Sequence, residues 1–256
     1  MTIFLRELAA TESVDGKIHW FSQCRLGEPV MGKRISDTIK NFDHESRYEP
    51  GEAVQLAKSM ATAKFDETIE IAVRLGVDPR KAEEMLRGTV ALPSGSGRTV
   101  RVAVFAQGEA ATAARGAGAD HVGGTDLAEA VEGGMTDFDI AIASPDMMPV
   151  VGKLGRVLGP RGLMPNPKTG TVTDDVAKAV EDFKGGKVEY KTDKNGNVQV
   201  PIGKASFEAP SLLVNLEAVI EELNRVKPSG AKGKYIKKVF LSSTMGPSIK
   251  INEVLL

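Results

Sequence analysis

The chain has 256 residues, 41% of them hydrophobic and 26% charged, with a formal net charge of −1. That is enough apolar material for one or two packed domains. One cysteine, Cys24, and three scattered histidines, His19, His44 and His121, exclude an internal disulfide framework and a Cys-based zinc cage and offer no metal-ligand spacing. No apolar run is long enough for a bilayer, and residues 1–30 lack a signal-peptide core, so the expectation is a cytoplasmic, metal-free protein with no membrane partner.

Residues 1–30 hold the sole Trp, Trp20, and the sole Cys, and show no periodicity. They are expected to be an extension outside the fold or sequence ahead of a true start at Met31. "EAVQLAKSMA" (52–61) has helical spacing, and "DETIEIAVRL" (66–75) alternates as a strand. A glycine-rich joint, "PSGSG", covers 93–97. A middle third then reads as an α/β unit. It opens with a strand at 98–106 and a short Ala-rich helix closed by glycines. A brief strand at "DHVGG", a helix at "TDLAEAVEGG" and a strand at 137–144 follow, with Ser144 expected to cap the next helix. Short strands alternating with short helices imply a small parallel sheet covered on both faces.

A stiff loop, "GKLGRVLGPRGLMPNPKTGTV" (152–172), comes next, then a helical "DDVAKAVEDF" and a second glycine joint, "KGGK", at 184–187. Two alternating runs around Asp193-Lys194-Asn195-Gly196 predict a β-hairpin, because Asn-Gly accepts the positive φ of a tight turn. A helix at 211–226 and a strand at 235–243 close the chain.

Strands at 66–75 and 235–243 with two amphipathic helices make an α+β sandwich if the chain ends meet. The expected fold class is therefore mixed, α/β and α+β, with two domains. One is discontinuous (31–94 and 186–256), and a Rossmann-like three-layer α/β domain (95–185) is inserted into it. Two thin crossings close together would form a hinge.

Charge is segregated along the chain. Between Met147 and Thr173 there is no acid but four bases, Lys153, Arg156, Arg161 and Lys168. Between Leu223 and Asn252 there is again no acid, and seven bases, Arg225, Lys227, Lys232, Lys234, Lys237, Lys238 and Lys250. Such segregation builds local positive surfaces on a neutral molecule, the footprint of a polyanion partner.

The stretch "GLMPNPKT" is one residue from a phosphate-cradling loop. Gly162, Lys168 and Thr169 keep the spacing, but Pro167 stands in place of the second glycine and removes an N–H donor, as does Pro165. Two aspartates open the following helix and would repel a phosphate. "GSG" at 95–97 precedes its strand, so it cannot form a dinucleotide turn. No nucleophile–base–acid set stands at a recognisable spacing, and no catalytic residue and no cofactor are expected.

"GKLGRVLGPRGLMPNPKTGTV" closely resembles the signature of the bacterial L-one family of large-subunit ribosomal proteins, the family of the mobile side stalk. The likeness runs from about Tyr48 to Asn252, through "ATAKFDETIE", "RGTVALPSGSGRTVRV", "AGADHVGG", "DFDIAIASPDMM", "KNGNVQVPIGKASF" and "AKGKYIKKVFLSSTMGPS". Its fold, a domain built from both chain ends with a hinged Rossmann-like insertion, is the one reached above. The resemblance implies a partner: an internally looped helical element of large-subunit ribosomal RNA within the 50S subunit. It further implies that the stalk helps exit-site tRNA to leave, and that the protein binds its own mRNA leader as a repressor.

Carried onto this chain, the family's main RNA site implies Lys64, Phe65 and Glu67 in "AKFDE", and Ser243, Thr244, Met245, Gly246, Pro247 and Ser248 in "STMGPS". The chemistry suits RNA, which is read through shape, 2′-hydroxyls and phosphates. Lys232, Lys234 and Lys237 in "AKGKYIKK", with Lys204 in "IGKASF", would add phosphate contacts that position without specifying. Lys153, Arg156, Arg161 and Lys168 are expected to face RNA backbone secondarily. In one departure, the family usually opens on a strongly basic segment, whereas "RISDTIKNFDHESRYEP" mixes signs.

Overall fold

The computed structural model describes residues 43, 46–81, 84–228, 230–231 and 233–252. The expected Met31 start lies outside these described residues, as does Lys232. In chain order the helices and strands are α1 (Pro50–Met60), β1 (Thr68–Leu75), β2 (Arg87–Ala91), β3 (Val102–Phe105), α2 (Glu109–Gly116), β4 (His121–Gly123), α3 (Thr125–Glu132), β5 (Ile140–Ala143), α4 (Met148–Lys153), α5 (Gly155–Arg161), α6 (Val176–Lys184), β6 (Lys187–Lys191), β7 (Asn197–Lys204), α7 (Ala209–Arg225), β8 (Ile236–Ser243) and β9 (Ser248–Ile251). The chain is mixed α/β.

Strict alternation makes β1 a half-buried strand: Ile69, Ile71, Val73 and Leu75 point into a core, with Glu70 and Arg74 outward. It pairs antiparallel with β7 on one side and β8 on the other, in a four-stranded sheet of order β7-β1-β8-β9. Among the described residues, helices cover one face of that sheet. Ala53, Val54, Ala57 and Met60 of α1 and Leu212, Leu216, Val219, Ile220 and Leu223 of α7 join the inward residues of all four strands in one core. Proline at the start of each helix costs nothing, since the first N–H groups have no intrahelical partner. This is the expected α+β layer, and β9 is a strand that sequence periodicity did not single out.

The middle of the chain forms a separate parallel sheet, β4-β3-β5. All four residues of β3 are buried, because helices cover both sides. Ala103 and Phe105 pack towards α3, α4 and α5, while Val102 and Val104 pack towards α2 and α6. Three layers result, as expected for the Rossmann-like unit.

Three local expectations need correction. The stretch 152–172 is mostly helical: α4, α5 with Pro160 inside it, and a 3-10 turn at Pro167–Thr169. A buried Val151, Leu154 and Leu158 at helical spacing outweighs the glycines. The Asp193–Gly196 turn forms, with the Gly196 N–H on the Asp193 carbonyl at 2.9 Å. The runs it joins are not a paired hairpin, however. They meet in one bridge, Thr192 with Val198, before β6 pairs with β2 and β7 with β1. Ser144 ends β5 and precedes a 3-10 turn, but its hydroxyl caps nothing and contacts the Phe105 carbonyl at 3.5 Å instead.

The two glycine joints touch. Gly186 has φ +112° and packs so closely on Gly95 that a Cβ there would lie 2.7 Å from the Gly95 Cα, so only glycine fits. The Leu92 N–H reaches the Gly186 carbonyl at 3.3 Å. Asn215, fully buried on α7, holds this point. Its Oδ1 accepts from the Ser94 N–H at 3.0 Å, and its Nδ2 donates to the Gly95 and Ile202 carbonyls at 3.0 and 2.8 Å.

Candidate nucleic-acid interface

The loop from α1 to β1 and the turn from β8 to β9 come together at one end of the four-stranded sheet. In register, Ile69 faces Ser243, which brings "AKFDE" beside "STMGPS". Two residues lock them. Glu67, 1% exposed, accepts the Ala63 N–H at 2.8 Å with Oε1 and the Met245 N–H at 3.0 Å with Oε2. Thr244 closes a ring with Thr68. Its Oγ1 accepts the Thr68 N–H at 2.9 Å and donates to the Thr68 carbonyl at 3.2 Å, and its own N–H donates there at 3.0 Å.

Held this way, the large apolar side chains of the two segments face solvent: Phe65 is 55% exposed and Met245 50%. Ordinary core packing would have buried both. A solvated aromatic and a solvated thioether on braced backbone offer apolar contact with the backbone part of the ordering cost already met. Lys64 and Ser248 are exposed, and Pro247 is half-buried.

Ser243 and Glu67 are interior, so their part is to shape the surface. The Ser243 Oγ finds no hydrogen-bond partner among the described residues. A Cβ on Gly246 would overlap that oxygen, and the Gly246 N–H closes the turn on the Ser243 carbonyl at 3.2 Å.

Lys204 belongs to this end. Its Nζ donates to Thr68 Oγ1 at 2.9 Å and lies 3.4 Å from the Asp66 carbonyl. Asp66 in turn accepts the Ser206 hydroxyl at 2.8 Å and the Ser206 N–H at 3.1 Å. Sequence reasoning did not single out Asp66, Thr68 or Ser206. Asp66 and Ser206 are 140 residues apart and carry no joint signal.

The other cations stand elsewhere. Lys234 and Lys237 are exposed at the opposite end of β8, seven residues or about 23 Å of extended chain from Thr244 in the case of Lys237. Lys153, Arg156, Arg161 and Lys168 are all exposed on the three-layer unit, and an Arg161 guanidinium nitrogen donates to the Thr136 hydroxyl.

Around Lys168 the donors that a phosphate would need are taken. Its N–H goes to Asn166 Oδ1 at 2.9 Å, and the Asn166 N–H goes to Thr171 Oγ1 at 2.7 Å. Among the described residues no group of three or more His, Cys, Asp or Glu could hold a metal, and no helix is long and apolar enough to cross a membrane.

The Ribosomal protein L1p/L10e family matches residues 57–247. The chain is 59% identical over 220 residues to the large ribosomal subunit protein uL1 of Thermobifida fusca, covering 86% of this chain and 94% of that one. It is 60% identical over 223 residues to the protein of the same name from Beutenbergia cavernae, covering 87% and 94%. With the Corynebacterium urealyticum protein of that name the identity is 56% over 225 residues, covering 88% and 94%. Both segments of the braced sheet end fall within the span matched, apart from Ser248, and the chain belongs to the Ribosomal protein L1p/L10e family.

Proposed function

We propose that this chain is a structural, non-enzymatic protein of the large ribosomal subunit that grips large-subunit ribosomal RNA with the braced end of its four-stranded sheet. Membership of a ribosomal-protein family supports the coarser statement and places the protein on cytoplasmic ribosomes. One observation carries the finer one: the buried Glu67 carboxylate ties the Phe65 loop to the Met245 turn while both apolar side chains stay in solvent. Phe65 and Met245 then contact ribose or base, Thr244 and Ser248 line the turn, and Lys64 and Lys204 supply charge. Lys234 and Lys237 meet phosphate further along the sheet.

Residues 95–185 act as a hinged domain inserted in the discontinuous domain 31–94 and 186–256, turning at Gly95 and Gly186. Its four exposed cations, Lys153, Arg156, Arg161 and Lys168, face RNA backbone or the tRNA leaving the exit site. An mRNA leader that copies the ribosomal RNA element would compete for the same turn and so repress translation.

Binding of the full chain to a large-subunit ribosomal RNA transcript, measured against salt, tests this reading. Affinity is expected to fall steeply with salt and roughly tenfold or more in Phe65→Ala and Met245→Ala. An excess of the chain's own mRNA leader should displace the transcript. Wild-type affinity in both variants would sink the assignment of the site, and ATP or GTP binding abolished by Lys168→Ala would revive an enzyme.

A further inference from the structure

The face of the four-stranded sheet turned away from α1 and α7 has no element of the described chain upon it, and its side chains form three ordered rows. The pairing places Pro201, Glu70, Ser242 and Ser248 in the row nearest the turn. Gln199, Ala72, Phe240 and Lys250 stand in the next, and Asn197, Arg74 and Lys238 in the third. Inward neighbours on every strand are buried, while Glu70, Arg74, Gln199, Lys238 and Ser248 are exposed.

Phe240 is the anomaly on this face. It is half-buried, on a central strand, and belongs to none of the hydrophobic clusters. Its cross-strand neighbours are Ala72 and Lys250, so no second aromatic or branched aliphatic residue stands directly opposite it in the sheet. Charge around it is lopsided: Arg74, Lys238 and Lys250 against Glu70. An aromatic platform ringed by cations on an open sheet is what an unpaired base with its phosphates requires.

We propose that this open face carries an unpaired RNA segment continuing from the β8–β9 turn, with a base stacked on Phe240 and phosphates on Lys250, Lys238 and Arg74. The inference rests on the RNA-binding reading of the turn and extends it. Continuity supplies the path. Ser242 and Ser248 flank the turn on this same face, so RNA leaving Met245 runs onto Phe240 without crossing the sheet edge. Successive rows lie about 6.7 Å apart, of the order of one extended nucleotide. Glu70 sets the track, because its carboxylate repels phosphate and leaves the β8–β9 side for the backbone.

The test uses the full chain and a large-subunit ribosomal RNA transcript, with photo-crosslinking and affinity measured against salt. Crosslinks to uridines are expected on Phe240. Phe240→Leu, which keeps the packing and removes the stacking surface, should weaken binding roughly tenfold. The triple change Arg74→Gln, Lys238→Gln, Lys250→Gln should flatten the salt slope by about 2, at 0.7–0.9 per phosphate contact. Glu70→Gln should tighten binding.

Phe65→Ala and Met245→Ala serve as controls for the turn. If they lose affinity while the Phe240 and triple variants keep wild-type affinity and slope, this proposal is overturned and the turn site stands. No binding by the wild type overturns both. Crosslinks from this face to another protein of the subunit, or protection by residues 1–42 of the chain itself, would likewise overturn it.

Discussion

The carboxylate of Glu67 accepts the backbone N–H of Met245 at 3.0 Å across 178 residues of sequence. With its second oxygen on the Ala63 N–H, one buried side chain sets the spacing of the two segments proposed to hold RNA. Glu67→Gln keeps the size but presents an amide NH2 to one of these N–H groups. It should cost about 2 kcal/mol of stability and weaken RNA binding, although residue 67 is out of solvent reach. Denaturant unfolding and RNA titration of the same variant check both effects; unchanged affinity would mean that the two segments need no brace.

Gly246→Ala pushes a Cβ into Ser243 Oγ and is expected to lower RNA affinity roughly tenfold by reshaping the turn. Ser243→Ala deletes a buried hydroxyl that has no partner among the described residues and should be neutral or slightly stabilising. The double variant makes room for the methyl group and should recover most of the lost affinity. Two independent losses that simply add would contradict the steric account.

Asn215→Ala leaves the Ser94 N–H and the Gly95 and Ile202 carbonyls without their partner, at about 3 kcal/mol. The loss should concentrate at the joint. Hydrogen exchange at 94–95 is expected to accelerate far more than at β1 or β8, and uniform acceleration would deny Asn215 a local role.

Tyr235 is buried with its hydroxyl unpartnered among the described residues, and burial, with a smaller push from Tyr190, raises its pKa to about 12. An ordinary tyrosine ionises near 10, so the folded state holds the proton more tightly than the unfolded one. The stability this represents is fully present below pH 10 and is lost as pH rises through about 12. Tyr235→Phe should leave stability at pH 7 unchanged or higher and blunt the alkaline unfolding transition. Circular dichroism against pH would show it.

How far the fold could be read from sequence depended on where each element's partner lay. β1 and α7 were legible because alternation and 3.6-residue spacing are local, and each buries its own stripe. α4 and α5 were not, since five glycines and three prolines in 152–172 masked an apolar pattern that only the sheet beneath makes decisive. The 193–196 turn was readable from Asn-Gly. The parting of β6 from β7 was not, because it depends on β2 and β1 competing for them from far upstream in the sequence.

At the site, family likeness named two segments that the sheet does bring side by side, but it did not separate interior supports from exposed contacts. Glu67 and Ser243 turn out to be interior supports, and Asp66 with Ser206 supports a loop that neither residue's neighbourhood announces. The basic run at 231–238 looked like part of one patch with the turn, yet β8 holds its described lysines at the far end of the sheet.

Strands β2 and β6 pair antiparallel from Arg87 with Lys191 to Ala91 with Lys187, and the backbone closes behind them where Gly186 meets Gly95. Geometrically this is a β-ribbon whose connecting loop has grown into a whole three-layer unit. The ribbon's open end is no wider than an ordinary hairpin's, so a two-residue Asn-Gly turn in place of 93–185 should join it without strain. The remaining chain would keep its core of α1, α7 and the four-stranded sheet, although the buried Asn215 would retain only its bond to the Ile202 carbonyl. In this architecture the larger part of the protein is expected to tolerate loss of the smaller through one short splice in the gene.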